Sequence, residues 1–163
     1  MLEGLSDIDW NELGAPEIPQ QLHQLSLGYP PETADEFSGL FASLEEQLAP
    51  LMLLSGYGNY RDLMRIMETK IPHIVTPFLI QILDKTTDKR VSVMILELVH
   101  NECMYIQTVG TIVADREDYK AWARQLRDEV EKGMPVYLKL AHDSEQDVRQ
   151  GTEDLLLILK DTK

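Results

Sequence analysis

Met134-Pro135-Val136-Tyr137-Leu138-Lys139-Leu140-Ala141-His142-Asp143-Ser144-Glu145-Gln146-Asp147-Val148-Arg149 reads as one helix, a polar turn and the opening of a second helix. Pro135 suits the first turn of a helix, where its missing N–H forfeits no hydrogen bond. Ser144 and Asp147 have the spacing of a capping box, and Val148, Leu155, Leu156 and Leu159 then recur at helical steps. The stretch is therefore a helix hairpin.

The same unit occurs twice more upstream. Ile18-Pro19-Gln20-Gln21-Leu22 and Thr76-Pro77-Phe78-Leu79-Ile80 each open an apolar run, and Pro19, Pro77 and Pro135 stand at a constant interval of 58 residues. All three prolines suit a first helical turn. In the first unit a break at Gly28-Tyr29-Pro30-Pro31 precedes Thr33 and Glu36 at capping-box spacing, after which Phe37, Leu40, Phe41, Leu44 and Leu48 share a face. In the second, Thr86, Thr87 and Asp88 offer caps before Val91, Met94, Ile95, Leu98 and Val99. Between hairpins there is room for a further helix. From about 115 to 132, Tyr119, Trp122, Ala123, Leu126 and Val130 form a stripe, acids occupy the first turn and Gly133 supplies a stop. Tyr60, Leu63, Met64 and Met67, after the turn Gly56-Tyr57-Gly58-Asn59, are its counterpart. Alternation of period two is nowhere sustained, so the expectation is eight helices and no sheet.

The 134–149 stretch resembles a HEAT repeat, which places a proline early in its first helix, an Asp in the turn and a Val-Arg pair opening the second. Pro135, Asp143, Val148 and Arg149 match in order. The second unit matches at Pro77, Asp84, Asp88 and Val91, but its arginine precedes the valine as Arg90, and Ser92 stands where Arg is expected. The first unit keeps Pro19 and the apolar positions, as capping repeats do. An ordinary HEAT unit runs about 40 to 47 residues, and an inserted helix accounts for the longer period. The resemblance implies an all-α, HEAT-like α-solenoid, an α-α superhelix forming a single domain over 1–163. Its three hairpins start near 18, 76 and 134, with an inserted helix between successive hairpins.

Three further stretches resemble one bacterial family of HEAT-type proteins regarded as immunity proteins of contact-dependent or polymorphic toxin systems. They are Leu5-Ser6-Asp7-Ile8-Asp9-Trp10-Asn11-Glu12-Leu13, Ile74-Val75-Thr76-Pro77-Phe78-Leu79, and Glu129 through Leu138. That family has no shared catalytic motif, and solenoids of this kind serve as binding surfaces.

Composition points the same way. A chain of 163 residues buries roughly two thirds of its unfolded surface, enough for one core. The 28 acidic and 15 basic residues give a formal charge of −13, which repels phosphate backbones and excludes nucleic acid as the expected partner. The same excess solubilises a surface and attracts basic proteins. A single cysteine, Cys103, leaves no internal disulfide and no multi-cysteine zinc site. No run of about 20 apolar residues suggests a membrane span. Residues 2–9 have neither a basic start nor a signal-like apolar run, so cytoplasmic residence is the expectation.

Searches for chemistry end without a constellation. Glu97 and His100 form one Glu-x-x-His pair, but a di-iron bundle needs a second pair and more glutamates. His100 and Cys103 supply two ligands where a site needs more, and the plainer reading is a helix-edge histidine and a core cysteine. The His-Glu dipeptides of HEAT-like di-iron hydroxylases are missing, because the four histidines precede Gln24, Ile74, Asn101 and Asp143. Gly56-Tyr57-Gly58-Asn59 lacks the strand and lysine of a phosphate loop, and no Gly-x-Ser-x-Gly elbow occurs. The expected function is non-enzymatic protein binding without cofactor or metal, specified by the resemblance as neutralising a basic toxin domain by occlusion. Glu97, Asn101, Tyr105, Asp115 and Glu117 are the candidate partner-binding residues. Each is equally well read as an ordinary solvated position. The alternatives are a HEAT-like enzyme or lyase-type chaperone acting on nucleic acid or a chromophore, and a general scaffold.

Overall fold

Ile18, Leu22 and Leu25 follow one another at steps of four and three, and their burial on one face defines α1 (Ile18–Leu27), with Pro19 in its first turn. The helix stops at Gly28, whose φ of 77° suits glycine and whose N–H donates to Leu25 O at 3.2 Å. The computed structural model describes residues 2–28, 39–44, 48, 68, 70–112 and 116–161. Residues 39–44 are helical, with Leu40, Leu44 and Leu48 buried. Gln21 Nε2 donates to Ser43 Oγ at 2.7 Å, which ties this segment to α1. The Thr33–Glu36 capping box and the helix expected around Tyr60 to Met67 lie outside the described residues.

The second hairpin is α2 (Ile71–Lys85) and α3 (Lys89–Ile112). Here the structure corrects the sequence reading: Pro77 lies inside α2, and Pro72 takes the first-turn position. Pro77 has no N–H for His73 O, but starting a turn and a half earlier buries Ile71 and Val75. Hydrophobic burial thus outweighs the single lost bond. The turn is held by short side chains. Thr86 Oγ1 accepts from Asp88 N at 3.2 Å, and Asp88 Oδ1 accepts from Arg90 N at 3.0 Å, a capping arrangement at the start of α3.

Tyr119, Trp122, Leu126 and Val130 are the buried stripe of α4 (Glu117–Glu131), which packs on α2 and α3. Tyr119 Oη donates to Ile106 O at 2.6 Å, and Arg127 Nη2 donates to Leu159 O at 2.7 Å. The third hairpin follows as α5 (Met134–Leu140) and α6 (Gln146–Asp161). Its turn bonds come from Asp143, whose Oδ1 accepts from Glu145 N at 3.0 Å, and from Arg149, whose Nη1 donates to Asp143 O and Ser144 O at 2.7 and 2.8 Å. The N-terminal segment, with a 3₁₀ turn at Leu5–Asp7, folds back on α2. Trp10 faces Phe78 at 6.4 Å between ring centroids, and Glu3 N donates to Gln81 Oε1 at 3.2 Å.

Among the described helices the most extensive contact joins α3 to α6. Lys89 Nζ meets Asp143 Oδ2 at 2.5 Å, and a methyl built on Gly151 would touch Leu96 at 3.6 Å. Farther along, His100 and Met104 share a pocket with Asp154 and Leu157. The two helices therefore run in the same direction. At the other layer, Lys139 Nζ lies 3.6 Å from Asp84 Oδ1, which sets the ends of α5 and α2 side by side. The described residues are all-α, without strand, and none of their helices is long and apolar enough to cross a membrane.

Candidate functional site

Two parallel helices leave a furrow between them, and the second helices of the hairpins form one here. Its floor is apolar: Val93 and Met94 of α3, Val148 of α6 and Phe41 from the 39–44 segment. Its rim is charged, with Lys89, Arg90 and Glu97 on α3 facing Glu145 and Asp147 at the start of α6. This open pocket has a volume of about 490 Å³. The period of α3 explains the arrangement. Val91, Ile95, Leu98 and Val99 turn into the core, so positions 93, 97, 100, 104 and 107 present the opposite face.

Both cations on the rim are already engaged. Lys89 is bound to Asp143, and Arg90 Nη2 lies 2.8 Å from Asp88 Oδ2. Lys89 is the main reason the Asp143 carboxyl stays below its ordinary range, helped by the Glu145 N–H. Among the described residues Glu97, Glu145 and Asp147 have no cationic partner. The rim thus carries unneutralised negative charge above an apolar floor.

The furrow continues past Gly151 into a second pocket of about 300 Å³, where His100, Met104 and Gln107 face Asp154, Leu157 and Ile158. Leu157 is 60% exposed. It interrupts a face of α6 that is otherwise polar at Gln150, Glu153, Asp154 and Lys160.

Of the residues expected to contact a partner, Glu97 is exposed on the rim of the first pocket. Asn101 is half-buried on α3, beside that line of residues. Tyr105 is only 1% exposed, which corrects its expected place on the surface. It falls on the side of α3 covered by α4, its ring edge-on to Trp122 at 6.3 Å. Glu117 is exposed, but it sits in the first turn of α4 paired to Lys120 at 2.7 Å and does not line the furrow. Asp115 lies outside the described residues. The sequence reading missed Val93, Met104, Glu145, Asp147 and Leu157. An exposed leucine on a polar helix face was the available signal for the last.

The groups whose acidity burial shifts lie elsewhere in the fold. Glu102 is fully buried between α3 and α2, and burial pushes its carboxyl up to about 8. Cys103 beside it is pushed up to about 12, chiefly by burial and then by Glu102. Burial also raises the Tyr137 phenol, whose oxygen has no hydrogen-bond partner among the described residues. His73 Nε2 lies 3.0 Å from Trp122 O, its ring edge-on to Trp122 at 5.2 Å, and burial lowers its pKa. Glu102, Cys103 and Tyr137 are buried, His73 is partly buried, and none of the four lines the furrow. Among the described residues no three His, Cys, Asp or Glu side chains converge as metal ligands.

Compared with family models, with curated proteins and with solved structures, the chain finds no match in any of the three.

Proposed function

We propose that the chain is a HEAT-like α-solenoid that binds another protein without catalysing a reaction, and that the α3–α6 furrow is its contact surface. The partner is a basic protein, and the resemblance at 5–13, 74–79 and 129–138 specifies a toxin domain neutralised by occlusion. The observation that carries this reading is the furrow itself, with Glu97, Glu145 and Asp147 left without cations among the described residues, above Val93, Met94 and Phe41. Apolar floor and charged rim are the composition of a protein contact. Negative potential speeds the capture of basic partners and repels phosphate backbones. The parallel run of α3 and α6, stacked hairpin on hairpin, supports the solenoid.

The test is a photo-crosslinking amino acid at position 93 in the full chain, expressed in the source cells. One basic protein is the expected adduct, and Glu97→Lys with Asp147→Lys abolishes it. If that protein is toxic to cells, co-expression of the chain protects them and the charge-reversed variant does not. Failure to form any adduct, or adducts insensitive to charge reversal, would end this reading.

A further inference from the structure

The two pockets of the furrow differ in chemistry and sit at a fixed separation. The first has three carboxylates without a cationic partner among the described residues, over an apolar floor. The second exposes Met104 and Leu157, with Asp154 already accepting from Gln150 Nε2 at 2.9 Å. Glu97 and Met104 are seven residues apart on α3, a rise of about 10 Å along its axis.

An extended segment is a poor occupant. The walls are helices, whose backbone groups are paired within themselves, so a strand laid here finds no N–H or C=O to bond and loses its own water. A helix brings its backbone bonds with it and repeats its side chains at the same rise as α3. We infer, resting on the protein-binding reading above, that the partner docks a helix carrying a Lys or Arg and, two turns along the same face, a large apolar residue. The basic residue lays its methylene stem on Val93 and Met94 and its head among Glu97, Glu145 and Asp147. The apolar residue fills the pocket at Met104 and Leu157.

The probes are synthetic alanine-based helical peptides added to the isotope-labelled full chain, followed by amide chemical shifts. One peptide has Lys and Leu seven residues apart; the others place Leu on the opposite face, omit Leu, replace Lys by Glu, or carry a helix-breaking proline. Only the first is expected to move the amides of Glu97 and Leu157 together, with affinity falling about tenfold or more in Glu97→Gln and in Leu157→Ser. Both positions are exposed, and unchanged thermal melting confirms that the variants fold. Equal binding of all peptides, preference for the proline peptide, or the same shifts produced by the chain's own self-association overturns the inference. If the crosslinked partner forms on this face while the peptides show no preference, the helical register fails and the binding surface stands. If neither binds, both readings fall.

Discussion

Thr76 Oγ1 lies 2.6 Å from Pro72 O and 2.9 Å from Glu102 Oε2, in a part of the interior where Glu102 is fully buried. A hydroxyl has one proton and gives it to one acceptor. The arrangement is satisfied when Glu102 is the neutral acid: its proton goes to Thr76 Oγ1, and the Thr76 proton goes to the carbonyl. This geometry and the raised pKa agree on the protonation state.

The pH dependence follows from that state. Unfolded, the acid ionises near its ordinary 4.5, whereas folded it holds its proton to about 8. Between those values the native state binds the extra proton, so stability falls as pH rises, by about 1.4 kcal/mol per pH unit at most. Glu102→Gln keeps a donor for Thr76 without the titration. Its stability relative to the parent is expected to improve steadily from pH 5 to pH 8 in urea denaturation. A difference independent of pH would rule out the neutral acid.

His73 presents the opposite sign. A backbone carbonyl accepts from Nε2, so the ring is the Nε2–H tautomer, and burial, the largest influence, lowers its pKa. The unfolded chain takes up a proton as pH falls through 6.5 and the folded chain resists, so this group costs stability on the acid side. A titration followed by the ring nitrogen shifts is expected to give a midpoint below 6.5, with the Nε2–H tautomer as the neutral form. A midpoint at or above 6.5 would contradict it.

Lys89 and Asp143 join successive hairpins, but the lysine is substantially exposed. Lys89→Met is therefore expected to cost under about 1 kcal/mol and less at high salt. Asp143→Ala removes both the ion pair and the acceptor for Glu145 N, and is expected to cost about 1 kcal/mol more. Chemical denaturation at two salt concentrations separates the two contributions.

Gly133 precedes α5 with an ordinary negative φ, so the backbone does not demand glycine there. Space does: a methyl at this position would come within 2.9 Å of Tyr137 Cε2 and closer still to the rest of the phenol. Gly133→Ala is expected to destabilise by about 2 kcal/mol, and much less in a Tyr137→Leu background. Tyr137→Phe alone is expected to be neutral or stabilising, because its buried hydroxyl has no partner among the described residues. A double-mutant cycle by thermal denaturation measures the coupling.

Much of the architecture was legible locally. Pro19 and Pro135 do open helices, and the stripes at Tyr119, Trp122, Leu126 and Val130 and at Val148, Leu155 and Leu159 are buried as their spacing requires. Of the candidate contact residues, Glu97 reached the furrow because an exposed acid on a long amphipathic helix was already a surface feature. Tyr105 did not, since periodicity alone does not say that a third helix covers that side of α3.

The sequence by itself determined the all-α class of the described residues, the breaks at Gly28, at residues 86–88 and at Gly133, and the acidic balance, because each depends on residues a few positions apart or on composition. Tertiary structure decided the rest. Pro77 falls inside a helix because a core was present for Ile71 and Val75. Glu102 is held as the acid because water is excluded and Thr76 stands opposite it. The furrow exists because α3 and α6, more than 50 residues apart at Leu96 and Gly151, lie in contact and in the same direction. Burial, partners and register are properties of neighbours in space, which local periodicity does not specify.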